Sequence, residues 1–319
     1  MNKLPATMRD TLLMQLSIAM DKNEKIILLS ADFGSPVIDI IKSKYPERFI
    51  NVGIAEQNLI NLSSGLSLEG FTVFCYAIAP FITMRCYEQI RVNLALLSTI
   101  KKINVNLIGV GAGYSYPASG PTHQCYEDIS LINLLPNVEL LSPSDNLTTK
   151  LIVNYCLKKK SVKYIRLDAQ PLKPINENKF SLKNGYLSHD SSDEVILIST
   201  GYMTHIALEI RKKLKKKNIN ITVIDIFNLK NFIHKNFLKK IKLSKKIITM
   251  EEGFTSRGGL DSIILHFLNK NNIRNDFMNI GVEPSYNFHI GTREKVHKDI
   301  KIDFNSSYTR VLKFIGKFK

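Results

Sequence analysis

Short β-rich apolar runs recur along this chain with helical spacing between them, and that alternation limits the fold more than any other feature. Runs at 25–29, 71–76, 103–108, 138–141 and 163–167 are separated by stretches of helical periodicity, most plainly 10–20 and 81–97. Consecutive apolar residues mark a strand buried on both faces. Strands of that kind alternating with helices build a parallel sheet covered on either side. The pattern restarts with runs at 194–199, 221–227 and 246–251 and helical spacing at 204–214 and 259–268. Between the two series lies a stretch, 168–184, with Pro171, Pro174 and few apolar residues. A chain of 319 residues has room for two cores. The expectation is an α/β protein of two parallel-sheet domains, 1–172 and 188–319, with a linker at 173–187.

A net charge of +16 raises the question of a nucleic-acid partner. Its distribution argues against one. Up to residue 175 there are 18 Lys/Arg against 14 Asp/Glu, and beyond it 26 against 14. Much of that excess sits at 211–217 and 235–246. The first of these clusters ends an amphipathic helix (Ile206, Leu208, Ile210, Leu214), where lysines suit the helix dipole. No aromatic residues interleave with these lysines as a base-stacking surface requires. No run approaches the length of a membrane span, and the N-terminus lacks the apolar core of a signal peptide. The cysteines, Cys75, Cys86, Cys125 and Cys156, show neither Cys-x-x-Cys pairing nor metal-ligand spacing, so no metal site on this chain is expected. Reduced thiols and a cytoplasmic location are the expectation.

Three segments carry chemistry. In Asn51-Val52-Gly53-Ile54-Ala55-Glu56-Gln57, Glu56 falls where an apolar strand (48–53) feeds a small-residue helix. A carboxylate held there needs a partner, because an unpaired buried charge is costly. Gly109-x-Gly111-x-Gly113 follows a strand, but Tyr114 stands where a dinucleotide-binding loop needs its last glycine. The better reading is a loop that brings backbone close to a ligand. Downstream, Ser119-Gly120-Pro121-Thr122-His123-Gln124 puts a histidine where open α/β sheets present active-site groups. Spacing alone fits a surface histidine equally well. Likewise it fits Phe81 and Tyr87 as ordinary core residues.

Together these segments resemble the transketolase family of thiamine-diphosphate enzymes. The match covers the family's last two domains and nearly all of this chain. The resemblance implies a pyrimidine-binding domain followed by a transketolase C-terminal domain. In the family, the Gly-Ile-Ala-Glu-Gln pattern carries the glutamate that hydrogen-bonds the cofactor's aminopyrimidine, a place matched by Glu56. The stretch with Phe81, Arg85, Tyr87, Gln89, Ile90 and Arg91 resembles the helix that packs that ring, and Asp32 is implied on the cofactor side. His123 matches the substrate-side histidine. Arg9 and Arg166 fall where the family places arginines for the acceptor's phosphate, as their forked guanidinium suits. Glu251-Glu252-Gly253 with Gly258-Gly259-Leu260 resembles a turn of the family's C-terminal domain. These assignments imply transfer of a two-carbon ketol unit from a ketose to an aldose.

The departures matter as much. Family members hold diphosphate and a divalent metal through Gly-Asp-Gly…Asn in an N-terminal domain, and this sequence contains no Gly-Asp-Gly. The expectation is therefore half an enzyme: the cofactor between chains, with Mg²⁺ (or Ca²⁺) and diphosphate on an N-terminal partner subunit, in an α2β2 assembly. Gly111 and Ser119 stand where the family has a histidine and an aspartate. Losing two polar groups widens the pocket and admits a modified or nucleotide-linked sugar as acceptor. The other readings are a relative of 1-deoxyxylulose-5-phosphate synthase or of a 2-oxo acid dehydrogenase β subunit, and a non-catalytic partner subunit. Retention of Glu56 and His123 counts against the last.

Overall fold

The computed structural model describes residues 6–176, 180–192, 194–232 and 235–316. Residues 177–179 of the expected linker, and the chain ends of the two expected domains, lie outside them. The first unit runs α1 (Met8–Met20), β1 (Ile26–Ser30), α2 (Pro36–Lys44), β2 (Phe49–Asn51), α3 (Glu56–Leu68) and β3 (Thr72–Ile78). A helical stretch follows in which π turns at Phe81–Arg85 and Ile90–Leu96 alternate with α4 (Tyr87–Gln89) and α5 (Leu97–Ile100). Then come β4 (Asn104–Val110), α6 (Asp128–Asn133), β5 (Val138–Leu141), α7 (Asn146–Lys158) and β6 (Val162–Leu167).

These strands form a six-stranded, wholly parallel sheet in the order β2-β1-β3-β4-β6-β5. The buried runs seen in the sequence are its central strands: every residue of β1, β4 and β6 is buried. From β1 the chain moves outward to β2, returns to place β3 on the other side of β1, and continues away through β4. The connections therefore diverge at β1 and β3, and a crevice opens beyond the carboxyl ends of those strands.

The second unit contains β7 (Tyr186–His189), β8 (Val195–Ser199), α8 (Met203–Lys215), β9 (Thr222–Ile226), α9 (Lys235–Leu243), β10 (Lys246–Phe254), α10 (Leu260–Lys270), β11 (Asp276–Val282), α11 (Arg293–Asp299) and α12 (Phe304–Phe314). Its sheet, β11-β10-β8-β9-β7, is parallel except for β7, which pairs antiparallel with β9. The predicted lysine clusters close α8 and line α9 as solvated helix faces: α8 buries Ile206, Ile210 and Leu214 and carries Lys212, Lys213 and Lys215 in its last turn.

The two units share one interior. An apolar cluster runs from Leu59, Ile82 and Ile90 through Tyr164 to Ile196, Ile224 and Phe237 in the second unit. Above it the units also meet through buried charge. Arg293, at the start of α11, donates from Nε and Nη2 to Glu252 (2.9 and 2.5 Å) and from Nη1 to Asp168 at the end of β6 (2.6 Å). His297, one helical turn on, lies 2.5 Å from Glu252 Oε1, and Tyr202 stacks on the Arg293 guanidinium at 3.6 Å. All four side chains of this network, Arg293, Glu252, Asp168 and His297, are buried.

Candidate active site

The crevice beyond β1 and β3 collects several of the residues singled out in the sequence. Glu56 is the first residue of α3, directly after the β2 turn, and is only 2% exposed. Its partner is Arg85, whose Nη1 lies 2.7 and 2.8 Å from the two carboxylate oxygens. Arg85 comes from the first π turn after β3, and its guanidinium sits 4.4 Å over the ring of Phe81. Phe81 in turn meets the imidazole of His123 edge-on, with centroids 5.3 Å apart. Glu56, Arg85, Phe81 and His123 thus form one contiguous row, assembled from loops after three different strands.

Each link has a local cause. Ala55 offers no side-chain cap, so the Glu56 carboxyl at the start of α3 lies against unsatisfied N–H groups that favour negative charge. The π turn at Phe81–Arg85 follows Pro80 and widens the helix where two of its side chains face the crevice. His123 sits on a tight turn, its N–H donating to Gly120 O at 3.1 Å. Its Nδ1 shares a 3.0 Å hydrogen bond with the Thr122 hydroxyl, and Nε2 has no partner among the described residues.

The remaining candidates separate. Asp32, in the left-handed region at φ +50°, exchanges hydrogen bonds with Asn51 (3.0 and 3.1 Å) and closes the turns after β1 and β2 at the crevice rim. Tyr87 points away from the row: its hydroxyl donates to Leu131 O on α6 (3.1 Å), so it packs rather than lines the site. Ser119 is exposed on the His123 loop. Arg9, in the first turn of α1, is half-buried, with Nε toward its neighbour Asp10 (2.9 Å) and its charge beside Tyr76 and Tyr116.

Arg166 requires a correction. Rather than standing open to a phosphate, it is buried on β6 with Nε 2.8 and 3.0 Å from the oxygens of Asp128, and Nη2 donates to the carbonyls of Glu252 (3.1 Å) and Cys125 (3.4 Å). Its charge is paired with Asp128 inside the first unit, and its one bond to the second unit goes to the Glu252 carbonyl. The expected widening at Gly111 is corrected too. Gly111 has φ +108°, and the Tyr116 ring edge lies 2.5 Å from where a Cβ would stand. The space that a side chain at 111 would use is filled by an aromatic ring.

Sequence reasoning missed the Asp168–Arg293–His297 network and the tyrosines beside Arg9. The i, i+4 pairing of Arg293 and His297 on one helix face was a readable signal; its carboxylate partners lie too far away in sequence to be. Burial acts on these groups in opposite directions. Burial alone would raise Glu252, but the Arg293 charge and the His297 hydrogen bond hold it well below the carboxylate range. Glu251 makes no ion pair, and burial pushes it up to about 7 despite N–H donors from the start of α10 and the more distant charge of Arg166. Among the described residues, no cluster of His, Cys, Asp and Glu is placed to hold a metal ion. Nor is any helix there long and apolar enough to cross a membrane.

Comparison with known proteins agrees with this architecture. The family model of the transketolase pyrimidine-binding domain matches residues 5–174, and that of the transketolase C-terminal domain matches 185–305. The chain is 33% identical over 243 residues to transketolase-like protein 1 of Mus musculus, covering 74% of this chain and 40% of that one. It thus spans less than half of that curated relative. It is 26% identical over 264 residues to one of the subunits of the apulose-4-phosphate transketolase of Actinobacillus succinogenes, covering 82% of this chain and 83% of that one. Among solved structures it is similar to one described as a split gene transketolase, inactive beta4 tetramer, with TM-score 0.84, 26% identity, and coverage of 99% of this chain and all of that one.

Proposed function

Because the chain belongs to the transketolase family, we propose that it is one subunit of a split transketolase and supplies the pyrimidine side of a thiamine-diphosphate site. The observation that carries this reading is the buried Glu56 at the crevice, joined through Arg85 and Phe81 to His123. Thiamine diphosphate, when bound, supplies the carbon nucleophile and electron sink that let a ketose be cleaved beside its carbonyl.

The residues present fit that group. Glu56 is desolvated yet reachable, because the cation covering it is 45% exposed and held by one nitrogen. In this role Glu56 holds a proton at a carboxyl oxygen against a ring nitrogen, and Arg85 swings aside to release it. Phe81 gives the apolar face against which a planar ring lies. The unpartnered Nε2 of His123 orients a substrate hydroxyl or moves its proton. Asp32 closes the rim on the cofactor side. The ketol unit passes from a ketose donor to an aldose acceptor.

The partner subunit carries the diphosphate and the divalent metal, Mg²⁺ or Ca²⁺, and two of each chain make an α2β2 assembly in the cytoplasm. A relative named as one subunit of a transketolase and a split-gene relative described as an inactive β4 tetramer both support a division of labour between chains. The test begins with the complex isolated from native cells. Glu56→Ala in that complex is expected to lower two-carbon transfer at least about 100-fold, the scale of a lost transition-state contact, with assembly unchanged. Full activity in that variant, or tight one-to-one binding of thiamine diphosphate by this chain alone in calorimetry, overturns the reading.

A further inference from the structure

A groove of about 900 Å³ opens at the edge of the first sheet away from Glu56. Ile103, Val138 and Val162, at or just before the starts of β4, β5 and β6, line its floor. Those are the amino ends of parallel strands, whereas the Glu56 crevice lies beyond carboxyl ends. The second unit closes the groove with the turn 229–232 after β9 and the last turns of α10. Leu229 N–H donates across to Leu140 O at 2.9 Å, and Asn231 Nδ2 to Glu139 Oε2 at 3.3 Å. Five lysines line this space: Lys102, Lys159, Lys160, Lys230 and Lys270. Among the described residues only Lys159 of these is ion-paired, at 3.1 Å to Glu139, the one carboxylate in the lining. Burial would raise Glu139, but the hydroxyls of Ser161 and Tyr155 (2.5 Å each) and the Lys159 charge hold it below its ordinary value. That carboxylate is already matched, and it leaves the other four lysines without a counter-charge.

Two of the cations nearby have left water. Lys230 is half-buried, its Nζ donating to Leu135 O, and burial with no carboxylate to oppose it pulls it down to about 8. Lys163 is fully buried beneath the 159–161 turn, where its Nζ donates to Lys159 O (2.6 Å), Asn104 Oδ1 (2.9 Å) and Ser161 O (3.0 Å). Cations desolvated without a counter-ion are costly, and their field is strong in a medium of low dielectric. An anion in the groove relieves that cost. Lysine binds phosphate as a point charge, and one phosphate cannot serve four lysines drawn from four separate segments. The rings of Phe232 and Phe267 lie under the surface, 1% and 3% exposed, so no platform is offered to stacked bases. The volume is that of a small-molecule site. We infer that this groove binds a small molecule carrying two or more phosphate groups, with Lys230 against its wall and Lys102, Lys160 and Lys270 around its rim. The inference stands apart from the function proposed above, because binding alone reads it out.

The experiment titrates the full chain with inorganic tripolyphosphate in a calorimeter. One molecule is expected to bind per chain. Lys230→Met should weaken it about tenfold, the scale of a lost hydrogen bond between charged groups. Lys270→Met, an exposed side chain at the rim, should weaken it about threefold. Lys212→Met removes the same charge from the solvated face of α8 and should leave the affinity unchanged, which separates the groove from the net charge of the chain. No binding, or an equal loss in Lys212→Met and Lys230→Met, overturns the inference. A duplex oligonucleotide that binds as tightly as tripolyphosphate and is weakened equally by Lys230→Met also overturns it, since the partner is then a nucleic acid. If melting curves show that Lys230→Met does not fold, Lys270→Met against Lys212→Met decides, and equal affinities there remove the site.

Discussion

Arg85–Glu56 and Arg293–Glu252 are built from the same two groups and sit in opposite surroundings. Arg293 engages Glu252 with two nitrogens in a fork, gives the third to Asp168, and is 1% exposed. Arg85 touches Glu56 with a single nitrogen and is 45% exposed. In the first pair every partner is desolvated and hydrogen-bonded, so removing one strands the others. In the second only the acid is buried, and water can replace the arginine. One arrangement holds the two α/β units together; the other leaves a buried carboxylate that a ligand can claim.

The largest expected effect comes from breaking the closed network. Arg293→Met strands Glu252 and Asp168 and should cost about 3–5 kcal/mol of stability; Arg166→Met, which strands Asp128, should behave similarly. Chemical denaturation measures both, and a loss below about 1 kcal/mol would erase the contrast between the two regions. The intermediate effect concerns buried carboxyls that make no ion pair. Burial pushes Asp225 up to about 7 against the hydroxyls of Ser144 and Thr204, and it raises Glu251 to the same value. Above about pH 4–5 the unfolded chain has released these protons while the folded chain keeps them. Stability should therefore fall as pH rises from 5 toward 7, by at most about 1.4 kcal/mol per pH unit for each group, and level off above. Asp225→Asn should remove its share of that slope in melting curves; an unchanged slope would refute the assignment. The smallest effect is expected from Arg85→Met. Solvent screens its partly exposed pair, so the cost should stay near 1 kcal/mol, whereas thiamine-diphosphate affinity of the complex should change measurably. A stability loss as large as that of Arg293→Met would make the two pairs equivalent.

How much of this was legible in the sequence follows from range. The first sheet could be read strand by strand, because each strand is a local apolar run, and Glu56 could be read as a buried acid at a helix start that needs a partner. That the partner is Arg85, 29 residues away, shows only in the folded chain; the family resemblance put Arg85 on a helix beside the cofactor ring without pairing it with Glu56. Arg166 was misread for the same reason: a cation on a strand looks available until Asp128 is folded against it, 38 residues distant. The Asp168–Arg293 contact spans 125 residues and had no local trace. The loss of a side chain at Gly111 was visible, but not the ring of Tyr116 that fills the gap. Strand β7 was also unseen, since only Tyr186 of its four residues is buried and it lacks an apolar run. It begins inside the stretch 173–187, just after Gly185 at φ +72°, where a Cβ would run into the Asn231 backbone.

The four thiols carry a further consequence. Cys75, Cys86, Cys125 and Cys156 are all buried, and burial raises each well above the range of a reactive thiolate, Cys75 and Cys156 to about 12. The native chain is therefore shielded from alkylating reagents, and labelling waits for the structure to open. Cys75, Cys86 and Cys156 belong to the first sheet and the helical segments packed on it, so their alkylation over time is a clock for the opening of that unit. Cys125 lies instead in the loop before α6, where Arg166 joins its carbonyl to that of Glu252 in the second unit, and it records loosening of the seam. One reagent and a mass spectrometer thus separate breathing of the first unit from loosening of the seam with its neighbour, with no engineered label.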